Sequence, residues 1–288
     1  MAIAVPEGSA GRHARRKLTN GIYVALATLA TLVAVAALVA ILASLVVKGF
    51  GGLHTAVFTQ DQPAPGEPGG LRNAIVGSLI MCGSGMVISI IVGILAGTWL
   101  AEYGEGNKLA AAVRFLNDVL LSAPSILIGL FVYEIMVRPF HGFSAIAGAV
   151  ALAVLATPVV TRTTEDILRL QSNQLREAGM ALGAGKGLVI RAVIWRASAS
   201  GLMTGGLLGF ARISGETAPL LFTSLGNPFL SLKLTQPMAS LPTTIFQFAL
   251  SAYDDWQSLA WVGALVIAVA VLSANVIGRH LARGSQHK

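Results

Sequence analysis

The 288 residues are 55% hydrophobic and 11% charged, against roughly 25% charged in an average soluble domain, so there are too few polar groups to coat a water-facing globule. The net charge of +7 does not indicate nucleic acid, because the basic residues flank apolar runs instead of forming a patch with interleaved aromatics. The single cysteine, Cys82, excludes an internal disulfide and reads as a small buried hydrophobe.

In chain order, a tail over residues 1–20 carries Arg12, Arg15, Arg16 and Lys17 and precedes an apolar run from Gly21 to Val47. That run exceeds the core of a cleaved signal, so it predicts an uncleaved membrane anchor over 21–47. A Pro- and Gly-rich segment follows over 48–70, with Pro63, Pro65 and Pro68, and predicts an irregular loop. Five more apolar runs cover Leu71–Ala101, Ala112–Val137, Phe143–Val160, Ser198–Leu225 and Leu259–Ile277. Runs of about 20 apolar residues span a bilayer. The expectation is an all-α membrane protein of about six transmembrane helices, with a five-helix core over 71–282 and a tail over 283–288. Pro124 and Pro158 are expected to kink their helices.

Lys and Arg set the orientation. With the N-terminus in the cytoplasm, the inner side carries the four basic residues of the first tail, then Lys108, Arg114, Arg162, Arg169, Arg176, Lys186, Arg191, Arg196, Arg279, Arg283 and Lys288. The outer side carries only Lys48, Arg72, Arg138 and Lys233. Both termini are therefore expected inside. Between the last two runs, Thr243–Tyr253 is apolar but too short to span, which suits an interfacial or re-entrant helix. Gly201, Gly205 and Gly209 fall four residues apart and share a helix face, which allows another backbone to approach closely; Gly93 and Gly97 repeat the spacing.

The loop over 171–195 reads as a short helix. Ser172 or Asn173 can cap its start, and Leu175, Ala178, Gly179 and Leu182 share a face at helical spacing. Gly183, Gly185 and Gly187 end it. Such a helix suits either a partner's groove or the lipid surface.

Glu177-Ala178-Gly179, with Gly183 four residues on, resembles the Glu-Ala-Ala loop of ABC importer permeases. Gly179 replaces the second alanine, and Val193-Ile194-Trp195-Arg196 stands where that motif has Leu-Pro. Ala211–Thr223, reading ARISGETAPLLFT, and Gln236–Phe248, reading QPMASLPTTIFQF, are similar to the PstA-type phosphate permeases of the MetI-like superfamily. The resemblance covers the chain after the first helix. It implies a MetI-like permease core in the bacterial cytoplasmic membrane, with Glu177, Ala178, Gly179, Leu182 and Gly183 forming a cytoplasmic coupling helix for an ATPase. It further implies a related permease of the PstC kind, two ATPase subunits of the PstB kind, an external binding protein of the PstS kind and inorganic phosphate as cargo.

Arg212 and Glu216 are four apart within the fifth run and are expected to face the same side. A membrane arginine costs on the order of 3 kcal/mol unless it is paired or wet. Either the two form a buried ion pair that fixes packing, or Arg212 lines an anion pathway with Ser214 and Thr217 as further donors and Glu216 tempering its charge. Glu134 is expected to pair with Arg138, and Arg162, Glu165, Asp166 and Arg169 to form a solvated, salt-bridged face.

The phosphate-cradling loop G-x-x-x-x-G-K-S/T is absent: before Gly185-Lys186 the first glycine position is Met180, and position 187 is glycine. His13, His54, His141, His280 and His287 are scattered without metal-ligand spacing, and no cofactor site or nucleophile–base set is visible. The chain therefore reads as a transport subunit energised by a separate ATPase. The competing assignments are an ABC permease for sulfate or molybdate, a secondary transporter, for which no clear internal repeat is found, and a non-transporting scaffold.

Overall fold

The computed structural model describes residues 9–284, with side chains from Arg15 onward except at 279 and 281–284. Residues 1–8 and 285–288, parts of the expected tails, lie outside the described residues, as do the side chains of Arg12, Arg279, Arg283 and Lys288. The chain divides into two compact units, Met1–Lys48 and Gly49–Lys288. The first is helical from Ser9, as part of α1 (Ser9–Gly51), so helix already occupies most of the expected N-terminal tail.

The second unit is a helical bundle. A single turn, α2 (Ala56–Thr59), precedes the long α3 (Arg72–Tyr103). Asn107 then caps α4 (Lys108–Ser122), its side chain accepting from the Leu109 N–H at 2.9 Å. At Ala123–Pro124 the chain turns by 107° into α5 (Ser125–Val132), which runs on as a π-helical stretch, Tyr133–Val137. Proline removes the helical N–H and biases the preceding residue toward extended backbone, and Ala123 is extended. The expected third span is thus a sharply broken pair.

Ser144 caps α6 (Ala145–Arg169), which continues through Pro158 and is the central helix of the bundle. The loop helix α7 (Asn173–Ala181) leads to α8 (Lys186–Val189), a π-helical stretch Ile190–Ile194 and the turn α9 (Trp195–Ala197). Next come α10 (Ala199–Ile213) and α11 (Ala218–Thr223), separated by a break at 214–217, where one fifth span was expected. Ser240 caps α12 (Leu241–Ala249), and α13 (Asp254–Gly284) closes the bundle. Among the described residues, four helices are long and apolar enough to cross a membrane, or five if the bent pair counts as one span.

Glycine fixes the contacts of α6 on two sides. A Cβ at Gly93 would lie 2.7 Å from Val160 Cβ, and one at Gly97 2.6 Å from the Thr161 carbonyl. On α10, Cβ atoms at Gly201, Gly205 and Gly209 would approach Ile167, Thr163 and Val160 at 2.7, 3.1 and 3.1 Å. Lipid supplies no hydrophobic drive for association, so this close approach gives the dispersion contacts that hold the helices. Cys82 is buried between α3 and α10, its Sγ 4.0 Å from the Ile213 carbonyl.

At one end of the bundle, residues 52–71 and 226–245 interlock. Asp61 accepts from Arg72 Nε and from the Leu230 N–H, both at 2.9 Å. Gln62 donates to Thr244 Oγ1 at 2.6 Å, Asn73 to the Asn227 carbonyl at 2.7 Å, and the Leu241 N–H to Ser78 Oγ at 2.7 Å. Beneath them lie Val57, Leu71, Ala239, Leu241 and Phe248, with Phe248 stacked on Trp256 at 4.4 Å. The Pro-rich segment is therefore a folded cap, and the short apolar stretch after Ser240 is a helix that does not span.

Candidate functional site

The opposite end carries α7. Ser172 supplies its cap, accepting from the Leu175 N–H at 3.4 Å. Gly183 ends it at φ +80°, a conformation that costs a side-chain-bearing residue roughly 1–2 kcal/mol. The four residues predicted to share a face divide between two. Leu175 and Gly179 turn toward the bundle, Leu175 onto the buried Leu168–Val189–Ile194 cluster. Glu177, Ala178, Ala181 and Leu182 are exposed, Leu182 at 89%. Helical spacing groups residues within a stripe wider than the contact, and the position of Val189 decides which part is covered. A Cβ at Gly179 would meet Val189 Cγ2 at 2.9 Å, so the departure from Glu-Ala-Ala fits the branched side chain beneath it. Ile194 is fully buried and Trp195 Nε1 donates to Thr98 Oγ1 at 3.1 Å, which gives the segment without Leu-Pro its own anchorage on α3.

Two arginines tie this end together, and the sequence reading missed both ties. Arg176 of α7 donates through Nε and Nη2 to Glu102 at the end of α3, the shortest contact being 2.7 Å. Its remaining donors reach the Leu168 and Gln171 carbonyls at 2.8 and 2.6 Å. Arg114 of α4 donates to Glu165 at 2.7 Å and to the Leu100 carbonyl at 3.0 Å. Glu165 also takes Arg169 at 2.8 Å. The expected solvated face of α6 holds for Arg162 and Asp166, which pair at 3.2 Å and are exposed. Glu165 points inward and is buried because Arg114 meets it from another helix. Glu134 and Arg138 pair at 2.7 Å on an exposed turn.

Arg212 and Glu216 do not share a helix face. Helix α10 ends at Ile213, so the four-residue period stops before Glu216, which lies in the break ahead of α11. Among the described residues neither forms an ion pair. Arg212 is exposed, whereas Ser214 is buried and spends its hydroxyl on the Phe210 carbonyl at 2.6 Å. Thr217 Oγ1 reaches only the Gly215 carbonyl, at 3.5 Å. The last turn of α10 and the break after it thus present an arginine and a glutamate, each without a charged partner among the described residues, beside a threonine and an already committed serine. No group of three or more His, Cys, Asp or Glu residues that could hold a metal occurs among the described residues.

Residues 69–287 match the family described as binding-protein-dependent transport system inner membrane component. The chain belongs to this family. It is 49% identical over 264 residues to the phosphate transport system permease protein PstA of Haemophilus influenzae, covering 92% of this chain and 94% of that protein. It is 50% identical over 268 residues to the protein of the same description from Xylella fastidiosa, covering 93% of each. Among solved structures it resembles an inward-facing MetNI methionine ABC transporter, with a TM-score of 0.63 and 18% identity over 74% of this chain and 94% of that one, a likeness of fold. The family and its fold make the chain a multi-pass inner-membrane permease subunit of an ABC transporter.

Proposed function

We propose that this permease carries inorganic phosphate inward across the bacterial cytoplasmic membrane, driven by ATP hydrolysis on a separate subunit. The observation that carries the cargo is the near-50% identity, over more than nine-tenths of the chain, to phosphate permeases. The Lys and Arg distribution supports a cytoplasmic position for α7 and both termini, with residues 48–70 and the α12 region outside. On this reading the domain order is anchor, external cap, permease core with its coupling loop, and short cytoplasmic tails.

The exposed stripe of Glu177, Ala178, Ala181 and Leu182 is the surface offered to the ATPase. Gly179 holds the helix against the bundle, and Gly183 ends it. An ATPase dimer of the PstB kind would seat there, a permease of the PstC kind would complete the pathway, and a phosphate-loaded protein of the PstS kind would dock on the external cap.

Arg212 is the proposed anion contact. An exposed arginine in a membrane segment needs a partner subunit, water or an anion to satisfy it, and its planar fork matches phosphate oxygens. Thr217 adds a hydroxyl. Glu216, close in sequence and unpaired, keeps the site weak enough to release its cargo. Ser214 contributes through the backbone turn, since its hydroxyl is committed to Phe210.

The test is phosphate uptake by the complete complex reconstituted in vesicles. Hydrogen bonds to a charged group contribute about 1.5–3 kcal/mol, so Arg212→Ala is expected to lower uptake roughly tenfold or more while the ATPase subunits still co-purify. Glu177→Ala is expected to weaken co-purification or coupling instead. Intact phosphate uptake by a well-assembled Arg212→Ala complex would remove the pathway assignment, and ATPase stimulation by a sulfate-loaded but not a phosphate-loaded binding protein would remove the cargo.

A further inference from the structure

We propose that the Arg176–Glu102 pair is the latch through which movement of α7 reaches α3. This rests on the reading of α7 as the ATPase-docking helix, and concerns how force leaves that helix. Helix α7 packs on α8 and on the π-helical stretch after it, and its tie to α3 is made by the Arg176 guanidinium. All three nitrogens of that group are engaged: Nε and Nη2 on Glu102, Nη2 also on the Leu168 carbonyl, and Nη1 on the Gln171 carbonyl. One planar group therefore touches the end of α3, the last turn of α6 and the link into α7. A bidentate guanidinium–carboxylate pair fixes direction as well as distance, and the Glu102 side chain is 3% exposed, so solvent screens the pair little.

The surroundings make the pair matter mechanically. It forms part of the wall of a cavity of about 590 Å³, lined also by Glu105, Asn173, Met180 and Ile190. On that side α7 faces open space. Without the latch, a displacement of α7 can be taken up by the cavity instead of being passed to α3. Lys186 supports the Glu102 end from α8, donating to its carbonyl at 2.6 Å with the ammonium 4.1 Å above the Tyr103 ring. Beyond the latch, glycine contacts lock α3 to α6 and α6 to α10, whose last turn carries Arg212. Arg176 and Glu102 are positioning residues: they touch neither nucleotide nor cargo, and they turn a push on α7 into a shift of packed helices.

The experiment uses the full complex in proteoliposomes, with ATP hydrolysis and phosphate uptake measured in the same vesicles. Arg176→Gln and Glu102→Gln are expected to keep most of the hydrolysis stimulated by loaded binding protein. The phosphate carried per ATP should fall about five- to tenfold, the lower end of the range of an ordinary coupling free energy. Wild-type vesicles that carry no phosphate would sink the transport reading; wild-type vesicles that do, alongside variants with an unchanged ratio, would overturn the latch, whether the two rates are both normal or fall together. A second variant controls for folding: Glu102→Cys with Arg176→Cys, joined by a short bis-methanethiosulfonate linker that reductant cleaves. The buried Cys82 is poorly placed to compete. One preparation should regain its transport ratio when linked and lose it on reduction; an identical ratio in both states counts against the latch.

Discussion

At the α7 end, the carboxylates of Glu102 and Glu165 are 3% and 4% exposed and hold Arg176, Arg114 and Arg169. At the opposite end, the ion pair Asp61–Arg72 sits at 20% and 41% exposure, and amides, hydroxyls and backbone groups bind the two loops. The first end gathers its charges round two buried carboxylates, the second uses several separate hydrogen bonds and one part-exposed ion pair. A buried ion pair is weak evidence for net stability, but removing one partner strands the other. Such an end resists small shear and responds as a body, which suits a region that must move. A distributed clamp holds a shape while tolerating local loss.

The largest effect should come from Glu165→Ala. It leaves Arg114 without its counter-charge inside the bundle, a loss of about 3 kcal/mol at the lower end for a broken buried pair, because Arg114 keeps its carbonyl partners. Thermal unfolding of the purified complex in detergent should show it, and a melting temperature equal to wild type would mean the charge network carries no load. An intermediate effect is expected at the glycine seam that both ends share. Gly97→Ala places a methyl 2.6 Å from the Thr161 carbonyl and should cost about 1–3 kcal/mol. Gly83→Ala, on the same helix with nothing within 4 Å, should stay within about 0.5 kcal/mol of wild type. Equal melting of the two variants would show that α3 and α6 do not pack as described.

The smallest effect belongs to the loop end. Arg72, by hydrogen bonding, holds the Asp61 carboxyl below the ordinary 3.8 against the opposing effect of burial, and the Leu230 N–H adds to the lowering. A depressed carboxyl contributes stability that is present above 3.8 and lost as pH falls through its lower folded value. The pair is part-exposed and screened by solvent, so the contribution is small. Protection of the amides of residues 226–235, corrected for the intrinsic pH dependence of exchange, should fall in wild type as pH drops below 3.8, and Asp61→Asn should show low protection at every pH. Unchanged protection in wild type across that range would remove Asp61 as a tie between the loops.

Apolar run length made the bundle legible: the second, fourth and last runs are α3, α6 and α13. Pro124 marked a kink, but the size of the bend depends on what α5 packs against, and a Cβ at Gly129 would lie 2.7 Å from Pro219 Cα on α11. The site was less legible, because its decisive contacts are long-range. Arg114 and Glu165 stand 51 residues apart, and Glu102 and Arg176 stand 74 apart, so local patterning makes each a surface charge. Periodicity likewise carried Arg212 and Glu216 onto one face, since nothing in that arithmetic announces that the helix stops at Ile213. The loop helix and its ends could be read from Ser172 and Gly183. Its covered side could not, because Val189 decides it.

The π-helical stretch Ile190–Ile194 sets the phase of everything after it. Each residue turns an α-helix by about 100°, so an inserted or deleted residue there would swing Gly201, Gly205 and Gly209 away from Ile167, Thr163 and Val160 by more than a quarter turn. A length change in this short segment would therefore open the α6–α10 seam unless a compensating change restores the angle, whereas a substitution within it leaves the phase as it is.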